Sequence, residues 1–174
     1  MATALIVIDV QNDYFPGGKF PLWNPEAAEA NCLKLIGWAK SKAVPVVLVQ
    51  HVVEGTPAPF FAAGSAGAEI HGLIRSVAAD APVIVKTFAD SFEKTDLQAT
   101  LEKLGVDRLV ICGMMTHNCV THTAISKAAE AYDVTVVGDA CATVSEIVHI
   151  LALHALSTRV KLIETDELIT KDPQ

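Results

Sequence analysis

Arg108-Leu-Val-Ile-Cys-Gly-Met-Met-Thr-His-Asn-Cys119 is the stretch of sequence that decides the fold. Its apolar part, residues 109–112, has the length and β-branched content of a buried parallel strand. Residues 118–132 then carry small apolar side chains at helical spacing. The stretch therefore predicts a strand, a turn and a helix with Cys119 in its first turn. A helix N-terminus favours a thiolate or an oxyanion, so Cys119 is a candidate nucleophile, with a buried structural cysteine as the alternative.

Five further apolar runs of strand length occur along the 174 residues. The six expected strands span residues 4–10, 46–49, 82–85, 108–112, 134–137 and 160–163. Strands that alternate with helices predict an α/β fold, here a Rossmann-like three-layer sandwich with a six-stranded parallel sheet. We expect the strand order 3-2-1-4-5-6 and a single domain over residues 1–174. In that order the first and fourth strands are neighbours where the winding reverses, which is where such folds place their ligands.

Composition and charge narrow the classes of function. A hydrophobic content of 51% with 19% charged residues is typical of a globular protein. The formal net charge of −7 argues against a nucleic-acid partner. No run approaches the ~20 apolar residues of a membrane span, and the first ten residues do not form a signal peptide. Because the four cysteines lack metal-site spacing, we expect reduced thiols and hence a cytoplasmic protein. Because no apolar run is long enough to span a bilayer, we expect no membrane partner.

Three polar side chains stand at predicted strand ends: Asp9, Lys86 and Cys119. A buried charge needs a partner, so a structural salt bridge between Asp9 and Lys86 is one interpretation. A catalytic arrangement accounts for all three residues together. A carboxylate can take the proton of a thiol, and a nearby ammonium favours the thiolate. Such a set beside the N–H groups of a helix start is typical of acyl transfer.

Four segments around these positions occur in a characteristic order. They are Leu5-Ile-Val-Ile-Asp-Val-Gln-Asn-Asp-Tyr14, Val83-Ile-Val-Lys86 with Ser91-Phe92, Cys112-Gly-Met-Met-Thr-His-Asn-Cys-Val120, and Asp139-Ala140. Together they resemble the isochorismatase-like cysteine hydrolase superfamily, which includes nicotinamidases and N-carbamoylsarcosine amidases. Each segment is short, but the ordered set is specific and extends from residue 5 to about 145.

The resemblance implies a role for each candidate residue. Asp9 would be the proton acceptor, Lys86 its electrostatic partner and Cys119 the nucleophile. It also implies a cis peptide bond between Met114 and Met115, and an oxyanion hole formed by the N–H groups of Met115 and Cys119. A small-molecule substrate, the absence of a cofactor and a homo-oligomeric assembly are further expectations.

The cysteine also bears on the reaction. Isochorismatases proper resemble this chain but lack the cysteine. Retention of Cys119 therefore favours hydrolysis of a C–N bond, in an amide, carbamoyl or ureido group, through a thioester that releases ammonia or an amine. The alternatives are an isochorismatase-type hydrolase acting on another bond and a non-catalytic α/β binding protein.

The sequence departs from the metal-binding nicotinamidases of the superfamily. Those enzymes carry Asp-x-His after the second strand, where this chain has Val49-Gln-His-Val52. His51 and His71 without a carboxylate make a poor metal site. We therefore expect no metal and disfavour nicotinamidase activity, and we interpret His51 as a loop or packing residue. Whether His51 or His71 binds a metal stays open at this point.

The candidate substrate contacts come from the connections near the strand ends. They are Gln11, Phe15, Phe61 and Phe92. Several aromatic side chains in such connections can wall a small planar or acyl substrate. His122, three residues beyond Cys119, is the alternative base of a papain-like Cys–His pair. It ranks second because Asp9 and Lys86 already supply the needed functions.

Overall fold

The computed structural model describes residues 2–171, which form one parallel sheet flanked by helices. The strands are β1 (Thr3–Ile8), β2 (Val46–His51), β3 (Val83–Lys86), β4 (Arg108–Met114), β5 (Asp133–Ala142) and β6 (Lys161–Ile163). Their order is β3-β2-β1-β4-β5-β6, and every neighbouring pair is parallel. The predicted α/β class, six-stranded sheet and strand order are confirmed. β1 and β4 lie side by side where the winding reverses.

Helices cover both faces of the sheet. They are α1 (Pro25–Ser41), α2 (Gly72–Val77), α3 (Leu97–Leu104), α4 (Thr121–Ala124), α5 (Glu146–Leu156) and α6 (Thr165–Lys171). Leu5 and Val7 of β1 pack in a cluster with α1, α2 and α6, whereas Ile6 and Ile8 pack with α3, α4 and α5. Successive strand residues point to opposite faces, which produces the three layers. Within residues 2–171, no helix has both the length and the apolar character needed to cross a membrane.

The segment after β4 differs from its prediction. Instead of one helix over residues 118–132, the chain forms a π-helical turn at Thr116–Val120, then α4, then a short 3₁₀ helix at Ala128–Ala131. The break follows Ile125, where the Ser126 hydroxyl accepts the N–H of Ala128. A serine side chain that hydrogen-bonds the local backbone competes with the helical pattern. The small-residue spacing did not reveal this competition.

β1 and β4 approach each other closely where they end. Gly113 of β4 has a φ of +122°, and a Cβ atom there would lie 2.0 Å from the carbonyl oxygen of Ile8. Only glycine fits such a contact and such a backbone conformation. Asp9, directly after β1, also has a positive φ, of 50°. The close approach brings Asp9 beside the turn that follows β4.

A buried carboxylate ties together the long connections that follow β1 and β2. Asp13 belongs to the first connection, and its Oδ1 accepts the N–H of Lys19 at 3.0 Å. Its Oδ2 accepts the N–H of Phe61, in the second connection, at 2.7 Å. A Cβ on Gly67 would lie 2.2 Å from the same carboxylate, so glycine is required there. The two connections are therefore folded onto one side chain.

Candidate active site

Four polar side chains from four segments meet at the carboxyl edge of the sheet. Asp9 follows β1, and Cys119 lies in the π-helical turn after β4. His51 and Lys86 are the last residues of β2 and β3. One carboxylate oxygen of Asp9, one ring nitrogen of His51 and the Sγ of Cys119 lie within 4.8 Å of one another. The exposed fraction is 0% for Asp9 and 2% for both Lys86 and Cys119. We call these four residues the strand-edge cluster.

Lys86 is the centre of the strand-edge cluster. Its Nζ lies 2.8 Å from Asp9 Oδ2 and 2.8 Å from His51 Nδ1. It also donates to the carbonyl oxygen of Phe88 at 3.0 Å. A lysine ammonium has three N–H donors and no acceptor. Two of its neighbours accept hydrogen bonds, the Asp9 carboxylate forms an ion pair with it, and the Cys119 sulfur also lies close. The predicted pairing of Asp9 with Lys86 is present in the structure.

The electrostatics of the cluster favour an ion pair beside a neutral thiol. Burial lowers the pKa of Lys86, but the Asp9 carboxylate and the Cys119 sulfur outweigh it, so the pKa is raised and the side chain stays cationic. Burial and then the Asp9 carboxylate raise the pKa of Cys119 above its ordinary value. The ammonium of Lys86 opposes this shift, in the predicted direction, without cancelling it. The resting cluster therefore holds Asp9, Lys86 and a protonated Cys119.

The π-helical turn after β4 is held by its own backbone and by α5. The peptide bond between Met114 and Met115 is cis. The carbonyl oxygen of Met115 accepts the N–H of Val120 at 3.2 Å. The hydroxyl of Thr116 lies 2.9 Å from Nδ1 of His149 on α5. These contacts fix the path of the backbone on both sides of the residues predicted to form an oxyanion hole.

Gln11, a predicted substrate contact, is instead bound to the main chain. Its Nε2 donates to the carbonyl oxygens of His51 at 2.8 Å and Ala68 at 2.7 Å, and its Oε1 accepts the N–H of His51 at 2.8 Å. Both amide hydrogens are used and the side chain is fully buried. The Gln11 side chain therefore supports the backbone of His51, because its amide N–H groups and its carbonyl oxygen are all bound to the main chain.

The three predicted aromatic contacts occupy different places. Phe61 lies with its ring centroid 6.0 Å from that of His51 and is fully buried. Phe15 stacks on His71 at a centroid distance of 4.0 Å. Phe92 packs beside Tyr132, in the same apolar cluster as Cys119. Phe61 is the one whose ring is paired with a member of the strand-edge cluster.

His51 is the functional candidate that the sequence reasoning missed. It was interpreted as a loop or packing residue, yet it is the strand-register partner of Lys86. The available signal was weak: the expected second strand ended at Val49, two residues before His51, and the carboxyl ends of neighbouring parallel strands meet at one edge of the sheet. Tyr14 was also passed over. Burial raises its pKa, and so do the charges of Asp9 and Cys119, because its phenol lies close to both.

One set of donors within residues 2–171 has the composition of a metal site. It consists of Asp9, His51 and Cys119. Lys86 Nζ, however, lies 2.8 Å from both Asp9 Oδ2 and His51 Nδ1, so a metal ion between these donors would displace the ammonium. The set therefore fits its own ammonium better than a metal. His71 lies outside it, paired with Glu29 at 2.5 Å.

Comparison with known proteins identifies the family. The family model described as the Isochorismatase domain matches residues 3–167. The chain is 42% identical to the uncharacterized isochorismatase family protein YddQ of Bacillus subtilis (strain 168), over 98% of this chain and 100% of that protein. It is 30% identical to Nicotinamidase 3 of Arabidopsis thaliana, over 84% and 76% of the two chains. The crystal structure of an isochorismatase-like hydrolase from Alkaliphilus metalliredigens matches with a TM-score of 0.89 at 25% identity, covering 98% of this chain and 99% of that one. The resemblance carried by the motifs is thereby confirmed: this chain belongs to the isochorismatase family of hydrolases.

Proposed function

We propose that this chain is a cysteine-dependent hydrolase of a C–N bond in a small molecule that carries an amide, carbamoyl or ureido group. The observation that carries the proposal is the strand-edge cluster, where a carboxylate, an ammonium and a thiol meet at the end of the sheet. A relative at 30% identity is named a nicotinamidase, which supports hydrolysis of an amide. The small-molecule substrate follows from the same family membership.

The first half of the proposed reaction forms a thioester. Asp9 takes the proton of the Cys119 thiol while the sulfur attacks the carbonyl carbon, so that a C–S bond forms. The negative charge moves to the carbonyl oxygen, which the N–H groups of Met115 and Cys119 would bind. Asp9 then gives the proton to the leaving nitrogen. The C–N bond breaks, and ammonia or an amine departs.

The second half returns the enzyme to its starting state. A water molecule enters, Asp9 takes one of its protons, and the resulting hydroxide attacks the thioester carbon. The C–S bond breaks, and the proton on Asp9 returns to the sulfur of Cys119. The acid product then leaves. Lys86 stays an ammonium throughout and offsets the negative charge, whether this resides on Asp9 or on the sulfur of Cys119.

A screen for ammonia release tests this proposal. The panel contains primary carboxamides, N-carbamoyl compounds and ureido acids, and the Cys119→Ala protein serves as the blank. We expect release from at least one class with the wild-type protein and none with the variant. Equal release by both proteins, or no release from any class, would contradict hydrolysis of a C–N bond at Cys119.

We further propose that two copies of the chain associate through α5. Ile150 and Leu151 follow Ile147 by three and four residues and share its face of α5, and the exposed fractions of the three are 58%, 62% and 71%. An exposed apolar stripe of this kind marks an interaction surface. Pairing of this face with the same face of a second copy would remove the apolar side chains of both from water. A second copy of the same face is thus a complementary partner.

Ile150→Glu is expected to separate the copies. A buried charge at the centre of an apolar interface costs more free energy than the interface gains there. Light scattering on a sizing column should give the wild type twice the 18.5 kDa of one chain, and the variant a single chain. Leu73→Glu, at an exposed position on α2, is the matched control and should leave the mass unchanged. A monomeric wild type would contradict the proposal.

The cysteines suggest the compartment. Cys32, Cys112, Cys119 and Cys141 are all free thiols. The thiol of Cys32 donates a hydrogen bond to the sulfur of Cys112, with the two sulfur atoms 3.6 Å apart. Thiols persist in the reducing cytosol and tend to form disulfides in oxidising compartments. We therefore propose a cytoplasmic location.

A further inference from the structure

His51 is the member of the strand-edge cluster to which the proposed reaction gives no task. Its Nδ1 lies 2.8 Å from Lys86 Nζ and 3.9 Å from Asp9 Oδ2. The first distance is that of a hydrogen bond, and the second is too long for one. The ring is therefore directed at the ammonium rather than at the carboxylate.

The contact with Lys86 fixes the protonation of the ring. An ammonium can only donate, so Nδ1 must accept and cannot carry a proton. The proton of the neutral ring then resides on Nε2. Burial and the neighbouring cation both lower the pKa of His51, which keeps this neutral form populated. The geometry and the electrostatics thus agree on one tautomer.

The surroundings hold the His51 ring in place for this contact. Its backbone N–H and carbonyl oxygen are both bound by the Gln11 side chain. Its strand-register partner is Lys86 itself. The ring of Phe61 lies 6.0 Å away, centroid to centroid. A residue braced on this many sides is suited to hold a neighbour in position.

We infer that His51 is a positioning residue, which through its unprotonated Nδ1 holds the Lys86 ammonium in the orientation that keeps it beside Asp9 and Cys119. The inference rests on the proposed function. Lys86 hydrogen-bonds His51 and the carbonyl oxygen of Phe88, and its ammonium forms an ion pair with Asp9. If the histidine acceptor is lost, one N–H of a buried ammonium has no partner, and the side chain turns to find one. The Lys86 ammonium then no longer lies beside Asp9 and Cys119, where negative charge develops during the proposed reaction.

Two variants of His51 test the inference. Leucine removes the acceptor, whereas asparagine can place its Oδ1 near the position of Nδ1. We expect His51→Leu to lower kcat by roughly 10–100-fold, the usual effect of losing a partner that orients a catalytic group, with little change in KM. His51→Asn should recover most of the lost kcat. If leucine leaves kcat unchanged, or if asparagine is no better than leucine, the inference is wrong. A raised KM with unchanged kcat would instead mean that His51 contacts the substrate, and would also overturn it.

A measurement without substrate separates this inference from the proposed function. Iodoacetamide alkylates Cys119 as the sulfur displaces iodide, and mass spectrometry follows the rate. We expect labelling of His51→Leu to be roughly tenfold slower than that of the wild type, and labelling of His51→Asn to be close to wild type. If the labelling rates follow this ranking but neither the wild type nor the two variants cleave any amide, the hydrolase proposal is refuted and the role of His51 stands. Equal labelling of all three would refute the role of His51 alone.

Nitrogen NMR reads the protonation of the His51 ring in the wild-type protein itself. In ¹⁵N-labelled wild-type protein, the Nδ1 of His51 should show the resonance of an unprotonated imidazole nitrogen and Nε2 that of a protonated one. The signals are assigned by their disappearance in His51→Asn, or in His51→Ala if the first variant does not fold. A protonated Nδ1 would overturn the inference directly.

Discussion

Replacing Cys119 with alanine is expected to abolish turnover while leaving the fold intact. The thiol is the nucleophile that forms the thioester, and no other member of the strand-edge cluster carries a sulfur that could replace it. Loss of the nucleophile from a covalent catalytic set lowers kcat by roughly 10⁴-fold or more. The side chain is small and lies beside an apolar cluster, so alanine should be accommodated there. Ammonia release on the substrate found by the screen measures the effect, and thermal unfolding checks the fold.

The matched control for this variant is another buried cysteine. Cys141 belongs to the same apolar cluster as Cys119 but lies outside the strand-edge cluster. Cys141→Ala should keep most of the activity, because its sulfur takes no part in the reaction. Residual activity in Cys119→Ala comparable to that of Cys141→Ala would end the case for a cysteine nucleophile.

The second large effect concerns the buried ion pair. Asp9 and Lys86 have almost no exposed surface, and their charged atoms lie 2.8 Å apart. Removing one charge leaves the other buried without its partner, which costs about 3–5 kcal/mol of the free energy of unfolding. We expect this loss for Asp9→Asn and for Lys86→Met. Urea unfolding of both variants measures it.

The double variant separates stability from catalysis. Asp9→Asn combined with Lys86→Met leaves no unpaired charge, so it should unfold closer to the wild type than either single variant. Its activity should stay low, because the proton acceptor is missing. General acid–base groups contribute roughly 10²–10⁴-fold to the rate, and Asp9→Asn should lose a factor in this range. A double variant that regains activity would show that the pair is only structural.

The sheet and the main part of the cluster were accessible to sequence reasoning. The alternation of apolar runs with helices predicts a parallel sheet, for which 3-2-1-4-5-6 is the order we choose among the doubly wound arrangements. Asp9 and Lys86 are recognisable because a charge at the end of a buried strand needs a partner. The position of Cys119 follows from the strand before it. Each of these signals is local in sequence. The topology of a parallel sheet places the ends of its strands at one edge, so the three residues come close together.

The remaining features of the site depend on the directions in which side chains point, and the spacing of residues along the sequence does not reveal these directions. His51 looks like an ordinary loop residue until the register of β2 and β3 places it opposite Lys86. Gln11 was expected at the substrate because it follows Asp9 closely, but its amide serves the backbone of His51 and Ala68. Likewise, the helix is interrupted after Ile125, where the Ser126 hydroxyl accepts the N–H of Ala128. Such contacts are set by tertiary packing.

The carboxylate of Asp13 couples the stability of the two long connections. It binds the amide of Lys19 in one connection and the amide of Phe61 in the other, and the Phe61 ring is paired with that of His51. Neither connection can lift away from the sheet without breaking a hydrogen bond to this one side chain. Displacing either connection therefore costs a hydrogen bond to Asp13, so that loss of this one carboxylate would loosen both connections together.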